Sequence, residues 1–114
     1  MLKVYVVSLL LLFSLSACSQ QDKAIQKINN FITQQAIDKT STSWKTSLSK
    51  PPLLTFNQNK TYTWLLETTH GNLSIKLFAD TAPMHVSSTM YLSLLGFYDN
   101  LTFHRVIPGF MAQG

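Results

Sequence analysis

The hydrophobic and polar positions divide the chain into segments with different patterns, and the first of these is a short apolar run. Lys3 precedes the run, which covers residues 4–15 and gives way to small residues before Cys18. This layout is typical of a secretory signal peptide. A membrane-spanning helix needs about 20 apolar residues, so the pattern predicts a signal peptide over residues 1–17 rather than a permanent span.

Residues 19–40 show the sparse apolar periodicity of an amphipathic helix. Most positions hold Gln, Asn or Lys, and the apolar ones recur at spacings of three and four, the period of a helix with one apolar face. The predicted stripe consists of Ile25, Ile28, Ile32 and Ala36. The stripe is narrow, so this short helix could either pack on a later element or lie exposed.

The next segment, residues 40–59, is polar and contains Pro51-Pro52 in its middle. A composition rich in Ser, Thr, Lys and Asn favours an extended connection over a packed element. We therefore predict a linker. Its three large apolar residues form a predicted docking patch of Leu53, Leu54 and Phe56.

Two strand-like runs, residues 62–69 and 73–78, flank the short connection His70-Gly71-Asn72. Runs of this kind separated by a short segment with Gly predict a β-hairpin. In the second run, apolar residues at 73, 75 and 77 alternate with Ser74 and Lys76. The alternation predicts a strand with one buried face.

The residues from 80 to 96 have the start and stop signals of a helix. Asp80 or Thr81 could cap it, Pro83 suits its first turn and Gly96 is placed to end it. The predicted buried stripe is Val86, Met90 and Leu94, widened by Leu92 and Leu95. Two of these leucines, at 94 and 95, could receive the N-terminal amphipathic helix.

A third strand is predicted over residues 101–107, and Pro108-Gly109 interrupts it. Strand parity places Arg105 on one face with Phe103 and Ile107, and residues 111 and 113 would share that face if the pairing continued. An arginine among apolar residues normally has a partner or a ligand, because its charge is costly to desolvate alone. The pattern by itself favours a salt bridge or a surface arginine over a site.

The order of residues around Arg105 favours a functional site over these two interpretations. The segment GFYDNLTFHRVIPGFMAQG, preceded by GNLSIKLFADTAP, resembles the cyclophilin-type peptidyl-prolyl cis-trans isomerases. The resemblance implies an active site lined by Arg105, Phe110, Met111 and Gln113, with no cofactor and no metal. It also implies that X-Pro segments of unfolded or exported polypeptides are the partners, and cyclosporin-type ligands are a further expectation from the family.

The chemistry of these residues suits isomerisation. Rotation about an X-Pro bond breaks amide resonance, and the twisted nitrogen regains a lone pair that can accept a hydrogen bond. A donor that bonds to the twisted state better than to the planar states lowers the barrier. We expect Arg105 to be that donor, Gln113 to orient it, and Phe110 and Met111 to contact the proline ring.

The resemblance also implies the fold, a mostly β, eight-stranded antiparallel barrel. It covers about residues 61–114, so we expect this sequence to hold the N-terminal part of the barrel with one of its helices. The expected organisation is a signal peptide over 1–17, an anchored helix and linker over 18–60, and a truncated isomerase domain over 61–114. We expect this piece to be inactive by itself.

The last residues of the signal segment, Leu15-Ser16-Ala17-Cys18, resemble the lipobox of bacterial lipoproteins. That resemblance implies lipidation of Cys18 and attachment to a membrane of the bacterial cell envelope, with the protein facing the periplasm or the exterior. The alternative is a plain secretory peptide with an incidental cysteine.

Charge and composition exclude few other classes. After residue 17 the chain has eight Lys and Arg against five Asp and Glu, and the lysines are scattered rather than clustered, so we expect no nucleic-acid partner. His70, His85 and His104 lack metal-ligand spacing. The leading hypothesis is a prolyl isomerase that assists folding of exported proteins. The alternative is a non-catalytic, proline-binding or chaperone-like envelope lipoprotein.

Overall fold

The computed structural model describes residues 21–114, so the predicted signal peptide and Cys18 lie outside the described residues. The strands of the described part form two separate antiparallel sheets of two strands each and do not close into a barrel. No helix in this part is long and apolar enough to cross a membrane. In chain order the elements are α1 (Lys23–Gln35), β1 (Tyr62–Thr68), β2 (Gly71–Leu77), α2 (Pro83–Leu95), β3 (Arg105–Ile107) and β4 (Met111–Gln113).

Helix α1 confirms the predicted amphipathic helix within narrower bounds. Its N-cap is Asp22, whose carboxylate accepts a hydrogen bond from the Ala24 N–H at 2.9 Å. It ends because Ala36 adopts a left-handed conformation with φ of 45°. Ala36, predicted as the last member of the apolar stripe, therefore lies just after the helix and is exposed, whereas Ala24 and Ile28 are buried.

The predicted linker is more structured than its composition indicates. Short turns follow one another between residues 38 and 47, and the chain then runs extended to residue 57. Leu54 and Phe56 are buried, which confirms these two members of the docking patch, whereas Leu53 is 56% exposed. Alternation along an extended segment explains the difference, because every second side chain points away from the core.

The β1–β2 hairpin is confirmed, with a tighter turn than predicted. Thr68 pairs with Gly71, so Thr69 and His70 form the connection, and Gly71 with a φ of 121° already belongs to β2. Trp64 and Ile75 face each other on one side of the pair. The prediction that this side is buried is wrong for most of β2 within residues 21–114: Leu73 and Ile75 are 48% and 39% exposed, whereas Leu77, opposite the buried Tyr62, is half-buried.

Helix α2 begins at Pro83 and ends before Gly96, as predicted. Its N-cap is Ala82, without a side-chain hydrogen bond, so the predicted caps Asp80 and Thr81 are wrong. The reason is a preceding turn in which the Ala82 N–H donates to the Phe78 carbonyl at 2.9 Å, which leaves residues 80 and 81 outside the helix. Gly96 ends the helix with a φ of 74°.

The buried face of α2 is rotated from the predicted stripe. Val86 is buried and Met90 is half-buried against the core, whereas Leu94 is 48% exposed, so the predicted stripe is wrong at Leu94. Apolar residues surround most of this helix, and periodicity alone therefore does not select a face. The buried face includes one polar residue, Ser87. The buried residues of α2 are Val86, Ser87, Tyr91 and Leu95.

The core joins α1, the extended segment and α2. Phe31 of α1 meets the ring of Tyr91 edge-on, with centroids 5.5 Å apart, and Leu95 is 1% exposed. Helix α1 thus packs on α2 through Phe31 and Tyr91, and of the two predicted leucines Leu95 is buried whereas Leu94 is exposed. The buried apolar residues of this core are Ala24, Ile28, Leu54, Phe56, Tyr62, Val86, Tyr91 and Leu95. The predicted boundary at residue 60 stays a prediction, and one core extends across it.

Candidate functional site

The hairpin formed by β3 and β4 carries the residues that the sequence singled out. Arg105 pairs with Gln113 and Ile107 pairs with Met111 in antiparallel register. Cross-strand partners lie on the same face of a sheet, so Arg105, Met111 and Gln113 share one face. This confirms the predicted parity, which the turn at Pro108-Gly109 does not reset.

The turn of this hairpin explains the break in the predicted third strand. Gly109 has a φ of 73°, a conformation that costs glycine little, and the Phe110 N–H donates to the Ile107 carbonyl at 3.0 Å. Strand β3 is shorter than predicted, since it begins at Arg105 rather than at residue 101. Residues 101–104 have no partner strand within the described part of the chain.

The four candidate side chains differ in position and exposure. Phe110 lies in the turn and is 79% exposed, next to Met111, which is half-buried. Arg105 and Gln113 are exposed. The structure therefore brings three of the residues together on one face and places Phe110 at its end. Their roles in binding and catalysis stay predictions.

Arg105 has neither an ion pair nor a side-chain hydrogen bond to any residue between 21 and 114; the ion pair formed within this range is that of Lys60 with Asp22. The salt-bridge interpretation of Arg105 thus finds no partner in the described part. Gln113 is the polar side chain directly opposite it in the register. A guanidinium in this position keeps its donors free for a ligand.

The connection between α2 and β3 holds residues that sequence reasoning missed. The ring of Tyr98 lies 5.0 Å from that of Trp64 on β1, and 5.4 Å from that of Phe97. Burial raises the pKa of the Tyr98 hydroxyl above its ordinary value. The aromatic doublet next to Gly96 was the available signal, because aromatic rings after a helix end often pack onto a neighbouring element.

No group of three or more His, Cys, Asp or Glu residues is close enough to hold a metal ion among residues 21–114. His70 lies in the β1–β2 turn, His85 on α2 and His104 just before β3. The hairpin offers a permanent cation, an amide, a thioether and an aromatic ring.

Such a set combines hydrogen-bond donors with apolar contacts, a combination that is chemically suited to apolar segments with exposed carbonyl groups. The comparison with known families agrees with this class. Residues 63–114 match the family described as cyclophilin type peptidyl-prolyl cis-trans isomerase/CLD. These residues are therefore similar to part of a cyclophilin-type isomerase domain, and helix α2 with the two short sheets is consistent with a portion of that fold.

Curated relatives carry the same family name. A peptidyl-prolyl cis-trans isomerase of Synechococcus elongatus is 54% identical over 50 residues, which are 44% of this chain and 34% of the relative. One of Helicobacter pylori is 49% identical over 49 residues, 43% of this chain and 30% of the relative. Peptidyl-prolyl isomerase CWC27 of Gibberella zeae is 48% identical over 50 residues, which are 44% of this chain and 9% of the relative.

This chain therefore spans about a third of the length of these relatives, or less. The aligned part includes the β3–β4 hairpin and excludes α1 with the segment that follows it. No solved structure matches the chain.

Proposed function

We propose that the natural protein containing these residues accelerates cis–trans isomerisation of X-Pro bonds, with Arg105 as the catalytic hydrogen-bond donor. The observation that carries the proposal is the register of β3 and β4, in which Arg105 stands opposite Gln113 with Met111 on the same face. The family match of residues 63–114 supports the reaction class.

Each residue has a physical task in this mechanism. The planar imide offers a poor acceptor at nitrogen, and the twisted imide offers a lone pair, so an arginine N–H gains a hydrogen bond only as the bond rotates. The Gln113 amide oxygen can accept from the guanidinium and fix its direction. Met111 and Phe110 provide apolar contacts for the proline ring. The mechanism requires no proton transfer from Arg105, because the hydrogen bond alone favours the twisted imide.

The size of the effect follows from the hydrogen bond. A charge-assisted hydrogen bond contributes about 1.5–3 kcal/mol, which corresponds to roughly a tenfold to hundredfold change in rate. Loss of Arg105 alone therefore leaves part of the catalysis in place. The remainder comes from apolar contacts that select the twisted conformer.

The test is a proline-limited peptide isomerisation assay on the natural full-length protein. We expect Arg105→Ala to lower kcat/KM by about one to two powers of ten. Lys76→Ala is the control, because Lys76 is an exposed cation on β2, in the other hairpin. Equal rates for the wild type and Arg105→Ala would contradict the proposed mechanism.

A second candidate, a proline-peptide binding or chaperone-like module, is favoured by one observation. Arg105, Phe110 and Gln113 are exposed, so no wall encloses a bound imide within the described part of the chain. In that case the wild-type protein would bind a proline peptide without accelerating its isomerisation. Phe110→Ala would weaken this binding. A titration of a fluorescent proline peptide, run beside the rate assay, separates the two functions.

The proposed site of action is the bacterial cell envelope, where exported polypeptides would be the substrates. The support is the segment Leu15-Ser16-Ala17-Cys18, which resembles a lipobox. Metabolic labelling with a radioactive fatty acid tests it: we expect label on the wild type and none on Cys18→Ser. An unlabelled, secreted wild type would identify a plain signal peptide instead.

A further inference from the structure

The segment between α1 and the extended strand-like stretch does more than connect them. We call residues 37–48 the strap. Two of its lysines reach across to the end of α2: Lys39 Nζ donates to the Leu95 carbonyl at 2.6 Å, and Lys45 Nζ donates to the Phe97 carbonyl at 2.7 Å. The last carbonyls of a helix have no partner within it and carry the negative end of its dipole. The strap therefore places two cations where they satisfy acceptors at the end of α2.

The two lysines bond to different parts of the fold, although both ammonium groups also lie over the ring of Trp44, at 5.9 Å for Lys39 and 5.6 Å for Lys45. Leu95 is the last residue of α2, so Lys39 acts on the helix itself. Phe97 lies beyond Gly96, so Lys45 acts on the connection that leads from α2 to β3. The ammonium of Lys45 also lies 5.0 Å from the centroid of the Phe97 ring, which adds a cation–π contact.

A row of aromatic rings extends this contact to the first hairpin. Trp44 of the strap meets Phe97 edge-on at 6.1 Å, Phe97 meets Tyr98 at 5.4 Å, and Tyr98 meets Trp64 of β1 at 5.0 Å. The connection after α2 is thus held from both sides, by the strap and by β1. Trp64 lies within the matched family segment, and Trp44 lies outside it.

The connection passes this constraint on toward Arg105 through two consecutive turns. The Asp99 N–H donates to the Gly96 carbonyl at 3.2 Å, and the Leu101 N–H donates to the Tyr98 carbonyl at 3.3 Å. A shift of Phe97 would therefore move the backbone up to Leu101, from which the chain enters β3.

We propose that Lys45 is a positioning residue for the candidate site: through Phe97 it fixes the root of the β3–β4 hairpin and so the position of Arg105. The predicted effect of Lys45 on catalysis rests on the proposed isomerase function. The predicted effect of Lys45 on the connection between α2 and β3 does not rest on it, so the two effects can be tested separately.

The chain offers a matched pair for the test, Lys45→Met and Lys39→Met in the natural full-length protein. Methionine keeps an apolar stem and removes the ammonium group in both. Both variants lose one bond to a backbone carbonyl at the end of α2, so both should lower the melting temperature by similar amounts. Lys45→Met alone should loosen the connection.

Amide hydrogen exchange reads the connection directly. We expect the Asp99 and Leu101 amides to exchange about tenfold faster in Lys45→Met and at the wild-type rate in Lys39→Met. In the isomerase assay we expect kcat to fall about tenfold in Lys45→Met, with KM little changed, because a displaced donor is lost mainly in the transition state. Lys45→Arg should restore both readouts, since arginine can still donate to the Phe97 carbonyl.

Three outcomes decide the inference. Equal exchange and equal kcat in the two methionine variants would overturn it and leave the strap with a purely stabilising role. Faster exchange at Leu101 together with unchanged kcat would also overturn it, since Arg105 would then be positioned independently. An inactive wild type would overturn the proposed function, and exchange would then decide whether Lys45 holds the connection.

Discussion

The buried hydroxyl of Ser87 gives the sharpest stability prediction. Ser87 is fully buried, its hydroxyl donates to the Pro83 carbonyl at 2.7 Å, and it accepts a hydrogen bond from the Leu54 N–H at 3.0 Å. In Ser87→Ala the Leu54 N–H would remain buried without an acceptor. An unsatisfied buried donor costs about 1–3 kcal/mol.

Helix propensity acts in the opposite direction, because alanine is favoured over serine by about 0.5 kcal/mol in a helix interior. The same gain applies to Ser93→Ala on the same helix. The Ser93 hydroxyl is buried and has no hydrogen-bond partner within residues 21–114. Its removal leaves no donor unpaired, so Ser93→Ala should be neutral or stabilising. The free energy of unfolding should therefore differ between the two variants by about 1–3 kcal/mol.

Urea unfolding followed by tryptophan fluorescence measures this difference, provided that both variants have the wild-type m-value. The comparison cancels the propensity of alanine and the loss of a small polar group. If Ser87→Ala proves as stable as Ser93→Ala, the bond between α2 and the extended segment does not contribute, and the packing described for Leu54 must be revised.

The remaining predictions concern the same core. Burial by itself would raise the pKa of the Asp22 carboxyl, but hydrogen bonds from Lys60, Tyr62 and two backbone N–H groups outweigh burial and lower the pKa below its ordinary value of 3.8. The ionised carboxylate therefore stabilises the folded state above that ordinary value, and this stabilisation is lost as the pH falls through the lower pKa of the folded state. Urea midpoints across the acid range should therefore depend less on pH in Asp22→Asn, and an unchanged profile would refute this. Ile28→Ala, at a fully buried position, should cost about 2–5 kcal/mol in urea unfolding, clearly more than the half-buried control Ile25→Ala. Tyr91→Phe removes a buried hydroxyl that has no partner among residues 21–114, so its melting temperature should not fall.

The elements that the sequence predicts well are those set by local chemistry. Pro83 and Gly96 bound α2, and the spaced isoleucines mark α1, because helix start and stop signals and periodicity act within a few residues. The position of Arg105 and Gln113 on one face follows from strand parity, whereas their pairing across a hairpin was not predicted.

The features that the sequence does not predict depend on distant partners. Nothing near Ser87 in the sequence indicates that it is buried, because the Leu54 N–H that donates to its hydroxyl lies 33 positions away. Lys39 lies at the end of the predicted helix segment and Lys45 in the predicted polar linker, and their carbonyl acceptors lie 56 and 52 positions later. For the candidate site, parity places the side chains on one face, whereas enclosure depends on tertiary contacts that local patterns do not contain.

The core shared by α1, the extended segment and α2 bears on how this protein can be divided in the laboratory. Cutting the polypeptide where similarity to its relatives begins would strip away Ala24, Ile28, Leu54 and Phe56, and would leave the rings and methyl groups of α2 in contact with water. A shortened protein of that kind should aggregate, whereas one that starts before Asp22 keeps its own interior.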